Sequence, residues 1–291
     1  MKKIFCKKRK VLFLSTMLIL SNAVYGINVI FDLGEVLIST KKMYIMRQVG
    51  IYSFLMFLLR LNNPFALRKR LFATLEQIPA ISQNEFGATD DNGKPLPNIM
   101  CDWLTGTKTS KEILEEINEL FSNNPDFFHN RAEKNILNKM TSIMFTPKRF
   151  TKSRSIIKKG IKFVKRCKKK GHNVFILSNW DPESFEYILK AFPKLFSLFE
   201  KDHITISGDI GIIKPNPQIY EYILAKHNLD PQECIFFDDQ EVNIKAAEAF
   251  GIHGVVCKNI RYKKMVQALD SFLEEFETEI REINETNTIS V

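Results

Sequence analysis

The sequence has 291 residues, 45% of them hydrophobic, which suits one large domain or a core that carries an insertion. Its formal net charge of +9 at first favours a nucleic-acid-binding protein. However, residues 1–26 hold six of the basic residues and no acidic one, and the rest of the chain has 36 basic against 33 acidic residues. This near-balance excludes nucleic acid from the expected partners.

Residues 1–26 have the pattern of a secretory signal peptide. A lysine-rich start precedes an apolar stretch, residues 11–20, and small residues follow at Ser21, Ala23 and Gly26. The apolar stretch is shorter than the roughly 20 residues that a membrane-spanning helix needs. The pattern predicts a periplasmic or secreted protein that is cleaved after Ala23 or Gly26. The alternative is an uncleaved N-terminal anchor.

The first predicted strand ends in a carboxylate. Val29, Ile30 and Phe31 are strand-forming and apolar, Asp32 follows directly, and Gly34 marks a turn. A buried parallel strand with a polar residue at its carboxyl end is the expected product. Ligands of open α/β sheets bind at this end of the strands, so Asp32 is a candidate site residue.

A long apolar stretch follows at residues 43–61. Arg47 and Gln48 interrupt it, so its uninterrupted part is too short to span a bilayer. The stretch therefore predicts a buried helix, with contact to a membrane surface as the alternative.

The rest of the region up to residue 150 also has helical patterns and no strand pattern of any strength. Thr109 and Glu112 form a potential capping box ahead of an apolar helical face. Further helices are predicted over residues 67–75 and 132–144, and a polar loop over residues 87–97. Residues 41–150 are thus predicted to be an inserted helical domain.

Residues 148–170 contain 12 basic and no acidic residues. Ile157, Ile161, Val164 and Cys167 share one helical face, so the lysines are predicted to coat the opposite, solvated face.

From residue 173 onward, strands and helices alternate. Strands are predicted over 173–179, 203–207, 234–239 and 254–257, and helices over 182–191, 218–227 and 241–250. Such alternation predicts an α/β fold with a doubly wound parallel sheet. The predicted core comprises residues 27–40 and 151–270, and residues 271–291 form an acidic C-terminal tail.

Polar residues follow three of these strands and share one predicted sheet edge. Carboxylates repel each other unless a cation binds, and oxygen ligands without histidine or cysteine favour Mg²⁺. A metal ion, a hydroxyl and a lysine together suit a phosphoryl group, which a carboxylate nucleophile can attack. The residues concerned are Asp32, Ser178, Asn179, Lys214, Asp238 and Asp239.

In order and spacing, these segments resemble the four motifs of the haloacid dehalogenase superfamily, over about residues 28–37 and 158–258. The resemblance implies a Rossmann-like core with the helical insertion in the place of the family's C1 cap domain. It implies catalytic roles for Asp32 as nucleophile, Ser178 and Lys214, and phosphate binding by Ser178, Asn179 and Lys214. The implied Mg²⁺ ligands are Asp32, Gly34 through its carbonyl, Asp238 and Asp239.

One position departs from the family's phosphatase pattern. The general acid/base is usually an aspartate two residues after the nucleophile, and Gly34 stands there. Glu35 or a donor from the cap are the candidate replacements. The Asp-Leu-Gly-x-Val form also resembles a branch of the superfamily that includes sugar-phosphate phosphatases.

The leading hypothesis is a Mg²⁺-dependent phosphatase that hydrolyses a small phosphorylated metabolite through an aspartyl phosphate. The first alternative is a catalytically weak domain that binds a phosphorylated ligand or a protein, suggested by Gly34. The second is a 2-haloacid dehalogenase, which would need no metal ion, whereas the paired Asp238 and Asp239 argue for one.

Overall fold

The structure, a computed structural model, describes residues 26–50, 65–258 and 262–289. The strands are Asn28–Phe31 (β1), Ile38–Thr40 (β2), Arg154–Ile156 (β3), Asn173–Ser178 (β4), Ile204–Ile206 (β5), Cys234–Asp238 (β6) and His253–Val256 (β7). The helices are Lys42–Val49 (α1), Phe65–Leu75 (α2), Asn98–Leu104 (α3), Ser110–Asn123 (α4), Arg131–Met144 (α5), Pro147–Lys152 (α6), Lys158–Lys169 (α7), Pro182–Ala191 (α8), Pro193–Phe196 (α9), Ser207–Ile210 (α10), Pro217–His227 (α11), Glu241–Glu248 (α12) and Tyr262–Ile289 (α13).

Five parallel strands form the central sheet in the order β5-β4-β1-β6-β7. The first strand lies in the middle, where Phe31 faces Ile176 of β4 on one side and Phe237 of β6 on the other. Since strands on both sides of β1 come later in the chain, the sheet is doubly wound. The predicted α/β fold class is confirmed.

Both faces of the sheet are covered by helices. Alternate residues of β1 point to opposite faces, so Phe31 packs with Phe163 of α7 on one side, whereas Ile30 belongs to the cluster with Ile219 of α11 on the other. All four residues of β1 are buried. A strand that is apolar at consecutive positions is what two covered faces require.

A short antiparallel ribbon, β2 and β3, leads into and out of a helical segment, defined here as residues 42–152 (α1 to α6). Thr40 is the register partner of Arg154, and Ser39 is that of Ser155. The two crossings of the chain therefore lie side by side. The ribbon was not expected from the sequence, because its strands have three residues each and are rich in serine and threonine.

The capping box at the start of α4 is confirmed. The Glu112 amide donates to the Thr109 hydroxyl at 3.2 Å, and the Thr109 amide donates to Glu112 Oε2 at 2.8 Å. Ile113 and Ile117 face the interior from this helix.

We expect Thr109→Ala to lower the free energy of unfolding by about 1 kcal/mol, because one amide of the first turn of α4 loses its acceptor. Urea denaturation at fixed pH measures the change. Thr109→Ser keeps the hydroxyl and is the matched control, so an equal loss in both variants would contradict a role of the cap.

The prediction for residues 43–61 needs correction. In the described part of the 43–61 stretch, α1 ends at Val49 and only that residue is buried, while Met43 is 57% exposed. Residues 51–61 lie outside the described residues. Helix α3 was missed, because its seven residues directly follow the proline-containing loop. The terminal helix α13 begins at Tyr262 and continues through the acidic tail as far as Ile289.

Within the described residues, no helix has the length and apolarity needed to cross a membrane. The predicted signal peptide lies outside those residues except for Gly26, so its cleavage stays a prediction.

Candidate active site

Three neighbouring strands deliver polar side chains to the same edge of the sheet. Asp32 directly follows β1, Ser178 ends β4 and Asp238 ends β6. The three residues are buried, with exposed fractions of 6%, 1% and 0%. The polar side chains therefore converge at one edge of the sheet, as expected from the sequence. They are largely shielded from bulk water there.

Lys214 joins the ends of β1, β4 and β6. Its Nζ donates to Asp32 Oδ1 at 2.7 Å, to Asp238 Oδ2 at 2.6 Å and to the Leu177 carbonyl at 2.9 Å. Burial disfavours the ammonium, but the Asp238 and Asp32 carboxylates outweigh it and raise the pKa of Lys214 above its ordinary value. Lys214 is thus charged at neutral pH, with all three donors used.

Asn179 holds the loop that carries this lysine. Its Oδ1 accepts from the Lys214 amide at 2.7 Å, and its Nδ2 donates to the Lys214 carbonyl at 2.9 Å. Both hydrogen bonds go to the backbone of one residue, so the side chain of Asn179 positions Lys214.

Asp238 is held by a larger set of donors. Its Oδ1 accepts from the Gln240 amide at 2.8 Å, and Asn243 Nδ2 lies 3.1 Å from both carboxylate oxygens. With Lys214 on Oδ2, the protein already supplies partners to both oxygens. Asp238 is therefore placed to anchor Lys214, and Asp239 is left as the more open carboxylate of the pair.

The carboxylates of Asp32 and Asp239 are buried and are subject to electrostatic repulsion. Burial raises the pKa of Asp32 to about 6, with Lys214 opposing that rise and Asp238 adding to it. Burial also raises the pKa of Asp239 to about 8, and the charges of Asp32 and Asp238 add to this rise. A cation between these groups would offset that repulsion.

The donor set fits Mg²⁺. No histidine or cysteine of the described chain lines this part of the structure, and the candidate ligands are carboxylate and carbonyl oxygens. Asp32 uses Oδ1 for Lys214, which leaves Oδ2. The Gly34 carbonyl accepts from the Val36 amide at 2.6 Å and retains a second lone pair.

Gly34 leaves space next to the candidate nucleophile. A Cβ atom at this position would lie 3.3 Å from Asp32 Oδ2, a tight contact. Glu35 follows with a φ of +50°, a left-handed conformation that is unusual for glutamate. Its Oε1 accepts from the Thr40 amide at 3.1 Å. The turn aims Glu35 toward the same cavity as Asp32, so it does not point away from the site.

The sheet edge opens into a cavity of about 290 Å³. The helical segment contributes Trp103, Phe150 and Asp91 to its wall, and Trp180 of the core packs edge-on against Phe150 with ring centroids 5.7 Å apart. The polar loop 87–97 also contacts the core, where Thr89 donates to Gln240 Oε1 at 2.9 Å. The cavity is thus enclosed by both parts of the chain.

Several cavity residues were missed from the sequence, and Asn243 and Arg154 are two of them. Asn243 lies one helical turn after Asp239, and its spacing on α12 is the signal that would have revealed it. Arg154 belongs to the basic run 148–170 but precedes its helix; it lies on β3 and lines the cavity.

Asp181 begins α8 and also lines the cavity. Its Oδ1 accepts from the Ser184 amide at 2.8 Å, and the Ser184 hydroxyl donates to its other oxygen. Burial raises the pKa of Asp181 from 3.8 to about 6, although the hydrogen bonds from Ser184 oppose the rise.

Because its folded-state pKa is raised, Asp181 contributes stability that is complete below about pH 4 and is lost as pH rises through 6. We expect Asp181→Asn, which keeps an N-cap oxygen, to reduce the fall in unfolding free energy between pH 5 and pH 8 by about 1 kcal/mol relative to wild type. Urea denaturation at both pH values tests this, and equal pH dependence in the two proteins would contradict it.

A family model of haloacid dehalogenase-like hydrolases matches residues 28–251. The match spans well over half of the chain, so the protein belongs to this family of hydrolases, as its motifs predicted.

Solved structures agree with the fold. A wild-type haloacid dehalogenase family enzyme of Bacteroides thetaiotaomicron, in complex with magnesium and inorganic phosphate, superposes with a TM-score of 0.51 and 20% identity, over 80% of this chain and 94% of that chain.

Curated relatives match over shorter stretches. Bifunctional epoxide hydrolase 2 of Rattus norvegicus is 30% identical over 110 residues, which are 37% of this chain and 20% of that protein. Glyceraldehyde 3-phosphate phosphatase of Pyrococcus furiosus is 29% identical over 159 residues, 52% of this chain and 62% of that protein. The chain therefore spans about a fifth of the length of the first relative and under two thirds of the second.

Proposed function

We propose that the protein is a Mg²⁺-dependent phosphatase that acts on a small phosphorylated molecule. The observation that carries this proposal is the contact of one buried lysine, Lys214, with both Asp32 and Asp238 at the carboxyl ends of neighbouring strands. Magnesium and phosphate in the Bacteroides enzyme, and the phosphatase named among the relatives, support it.

In the proposed reaction, a carboxylate oxygen of Asp32 attacks phosphorus and forms an aspartyl phosphate, and the P–O bond to the leaving alcohol breaks. Lys214 lies beside Asp32, where its charge would offset that of the phosphoryl oxygens, and Ser178 offers a hydroxyl that can donate a hydrogen bond to one of them. Water then attacks phosphorus, releasing inorganic phosphate and restoring Asp32.

The proposed metal ligands are Asp32, the Gly34 carbonyl and Asp239, with Asp238 in support. When bound, Mg²⁺ would supply charge stabilisation at the transferred phosphoryl group. The burial of Asp32 limits the access of bulk water to the site. The hydrogen bond from the Lys214 amide to Asn179 Oδ1 fixes the position of Lys214.

Proton transfer to the leaving alcohol is the step for which Gly34 offers no side chain. Glu35 and Asp91 both line the cavity wall and are exposed, so they are the candidate proton donors. Asp91 belongs to the helical segment and matches the donor from the cap that was considered from the sequence. General acid catalysis is typically worth about 10²- to 10⁴-fold, so substrates with good leaving groups are expected to be turned over fastest.

Phosphate release from aryl, sugar and nucleotide phosphates, each with Mg²⁺ or with a chelator, tests the proposal. Metal-dependent release on at least one compound is the expected result. Release that is unaffected by the chelator would count against the metal, and halide release from 2-haloacids without metal would favour a dehalogenase.

A binding protein for phosphorylated ligands is the second candidate, and the lack of an acid/base side chain at Gly34 favours it. Calorimetric binding of phosphate compounds without turnover of any of them would support this candidate over the phosphatase.

Export is a separate proposal that depends on the N-terminal pattern alone. The N-terminal sequence of the protein recovered from the producing cell tests it: a start near Ile27 is expected, and a start at Met1 would contradict cleavage.

A further inference from the structure

Arg154 brings a second positive charge to the cavity that contains Asp32 and Lys214. It lies on β3, where its backbone is paired in register with Thr40 of β2. Its position at the exit from the helical segment separates it in sequence from the four family motifs.

The guanidinium of Arg154 is held in one orientation. Its carbon lies 4.0 Å from the centroid of the Phe150 ring, a cation–π contact, and Nη1 donates to the Thr40 hydroxyl. Thr40 is itself fixed by the hydrogen bond from its amide to Glu35. A stacked guanidinium with one anchored nitrogen loses little further freedom when it binds a ligand.

In the described part of the chain, the Nε edge of the Arg154 guanidinium donates no hydrogen bond to the protein. Within the described residues, Nε is buried and has no hydrogen-bond partner, and the side chain makes no ion pair. Nε and Nη2 form the two-pronged edge that binds a carboxylate or phosphoryl group through parallel hydrogen bonds. A buried donor without an acceptor is costly, which favours an oxyanion ligand here.

The charge of Arg154 persists at neutral pH. Burial lowers the pKa of Arg154 to about 10, while Glu35, Asp91 and Asp181 favour its charged form. Within the described residues none of these carboxylates forms an ion pair with Arg154, so they favour its charge from a distance and leave Nε without an acceptor.

We propose that Arg154 is a specificity-determining residue that binds a second oxyanion of the substrate, a carboxylate or a second phosphoryl group. The proposal deepens and rests on the phosphatase function, because Asp32 and Lys214 receive the transferred phosphoryl group while Arg154 receives the other anion. A cavity of about 290 Å³ is at the small end of ligand sites, so the substrate class is a phosphorylated acid or bisphosphate with a short carbon chain.

Three probes with the same number of carbons test the class of ligand: 3-phosphoglycerate, glycerol bisphosphate and glycerol 3-phosphate, which has no second anion. Wild-type protein is expected to have a kcat/KM for at least one of the first two about 10- to 100-fold higher than for glycerol 3-phosphate. Comparison of the first two separates a carboxylate from a phosphoryl ligand.

The variant Arg154→Gln is expected to abolish this preference through a higher KM, with kcat and the turnover of glycerol 3-phosphate little changed, because the lost contact is uniform binding. Arg154→Lys keeps the charge without the fork and is expected to restore only part of the preference. Lys158→Gln removes an equal charge from the exposed surface four residues away and is expected to leave the preference unchanged.

A folded Arg154→Gln protein that keeps the wild-type preference would overturn the proposal, and so would an equal loss on all three probes. Calorimetric binding to Asp32→Asn, with and without Arg154→Gln, gives a readout that needs no turnover. Anion-selective binding that is lost with Arg154, together with no hydrolysis of these probes or of the aryl, sugar and nucleotide phosphates by the wild-type protein, would overturn the phosphatase function and leave the subsite standing. Equal affinities for the three probes would overturn the subsite.

Discussion

Asp32→Asn is expected to lower phosphate release by about 10⁴-fold or more, because the amide lacks the anionic oxygen that attacks phosphorus. The substitution keeps the volume of the side chain and an oxygen for Lys214 Nζ, now 2.7 Å from Asp32 Oδ1. Since the pKa of Asp32 is raised by burial, loss of this carboxylate is not expected to destabilise the fold at pH 8.

Initial rates on the best phosphate of the panel, together with urea denaturation, measure both effects. Asp202→Asn removes an exposed carboxylate from the opposite edge of the sheet and is the matched control. Substantial activity in a pure, folded Asp32→Asn protein would show that another residue is the nucleophile.

Lys214→Met is expected to lower both activity and stability. The side chain is 1% exposed and pairs with two carboxylates, so its removal leaves Asp32 and Asp238 buried without their cation. Loss of one partner from a buried ion pair typically costs about 3–5 kcal/mol. Loss of a group that stabilises the charge on the reacting oxygens typically costs about 10²- to 10³-fold in kcat.

The stability deficit of Lys214→Met should shrink as the pH falls from 8 toward 5. Without the ammonium, the buried carboxylates bind protons more readily than they do in the unfolded chain, so acidification stabilises the folded variant. Urea denaturation across this range gives the result. Lys245→Met, which removes an exposed lysine of α12, is the control, and a deficit that is independent of pH would contradict the electrostatic cause.

The core of the fold was predictable because its signals are local. Each central strand is a continuous apolar run that ends in a polar residue, as in Phe31 to Asp32 and Phe237 to Asp238. The order of strands and helices then defines the sheet edge to which these residues belong. The capping box at Thr109 is equally local, since its partner is three residues away.

The cavity wall was harder to predict because its contacts are long-range. Arg154 pairs with a residue 114 positions earlier, and neither β2 nor β3 is long enough to show a strand pattern. A dense basic run hides this arginine, since the solvated lysines of α7 have the same charge. Asn243 could have been found from its spacing to Asp239, one helical turn away.

The ribbon of β2 and β3 has a consequence for how such a protein changes its substrate. Because Thr40 and Arg154 are register partners, the two covalent connections between the helical segment and the core lie side by side. A different helical segment could be grafted between these two residues without moving Asp32 or Lys214. Exchange of this segment would change the part of the cavity wall to which Trp103 and Phe150 belong, while Asp32 and Lys214 stay on the core, and Arg154 lies where the two parts of the chain join.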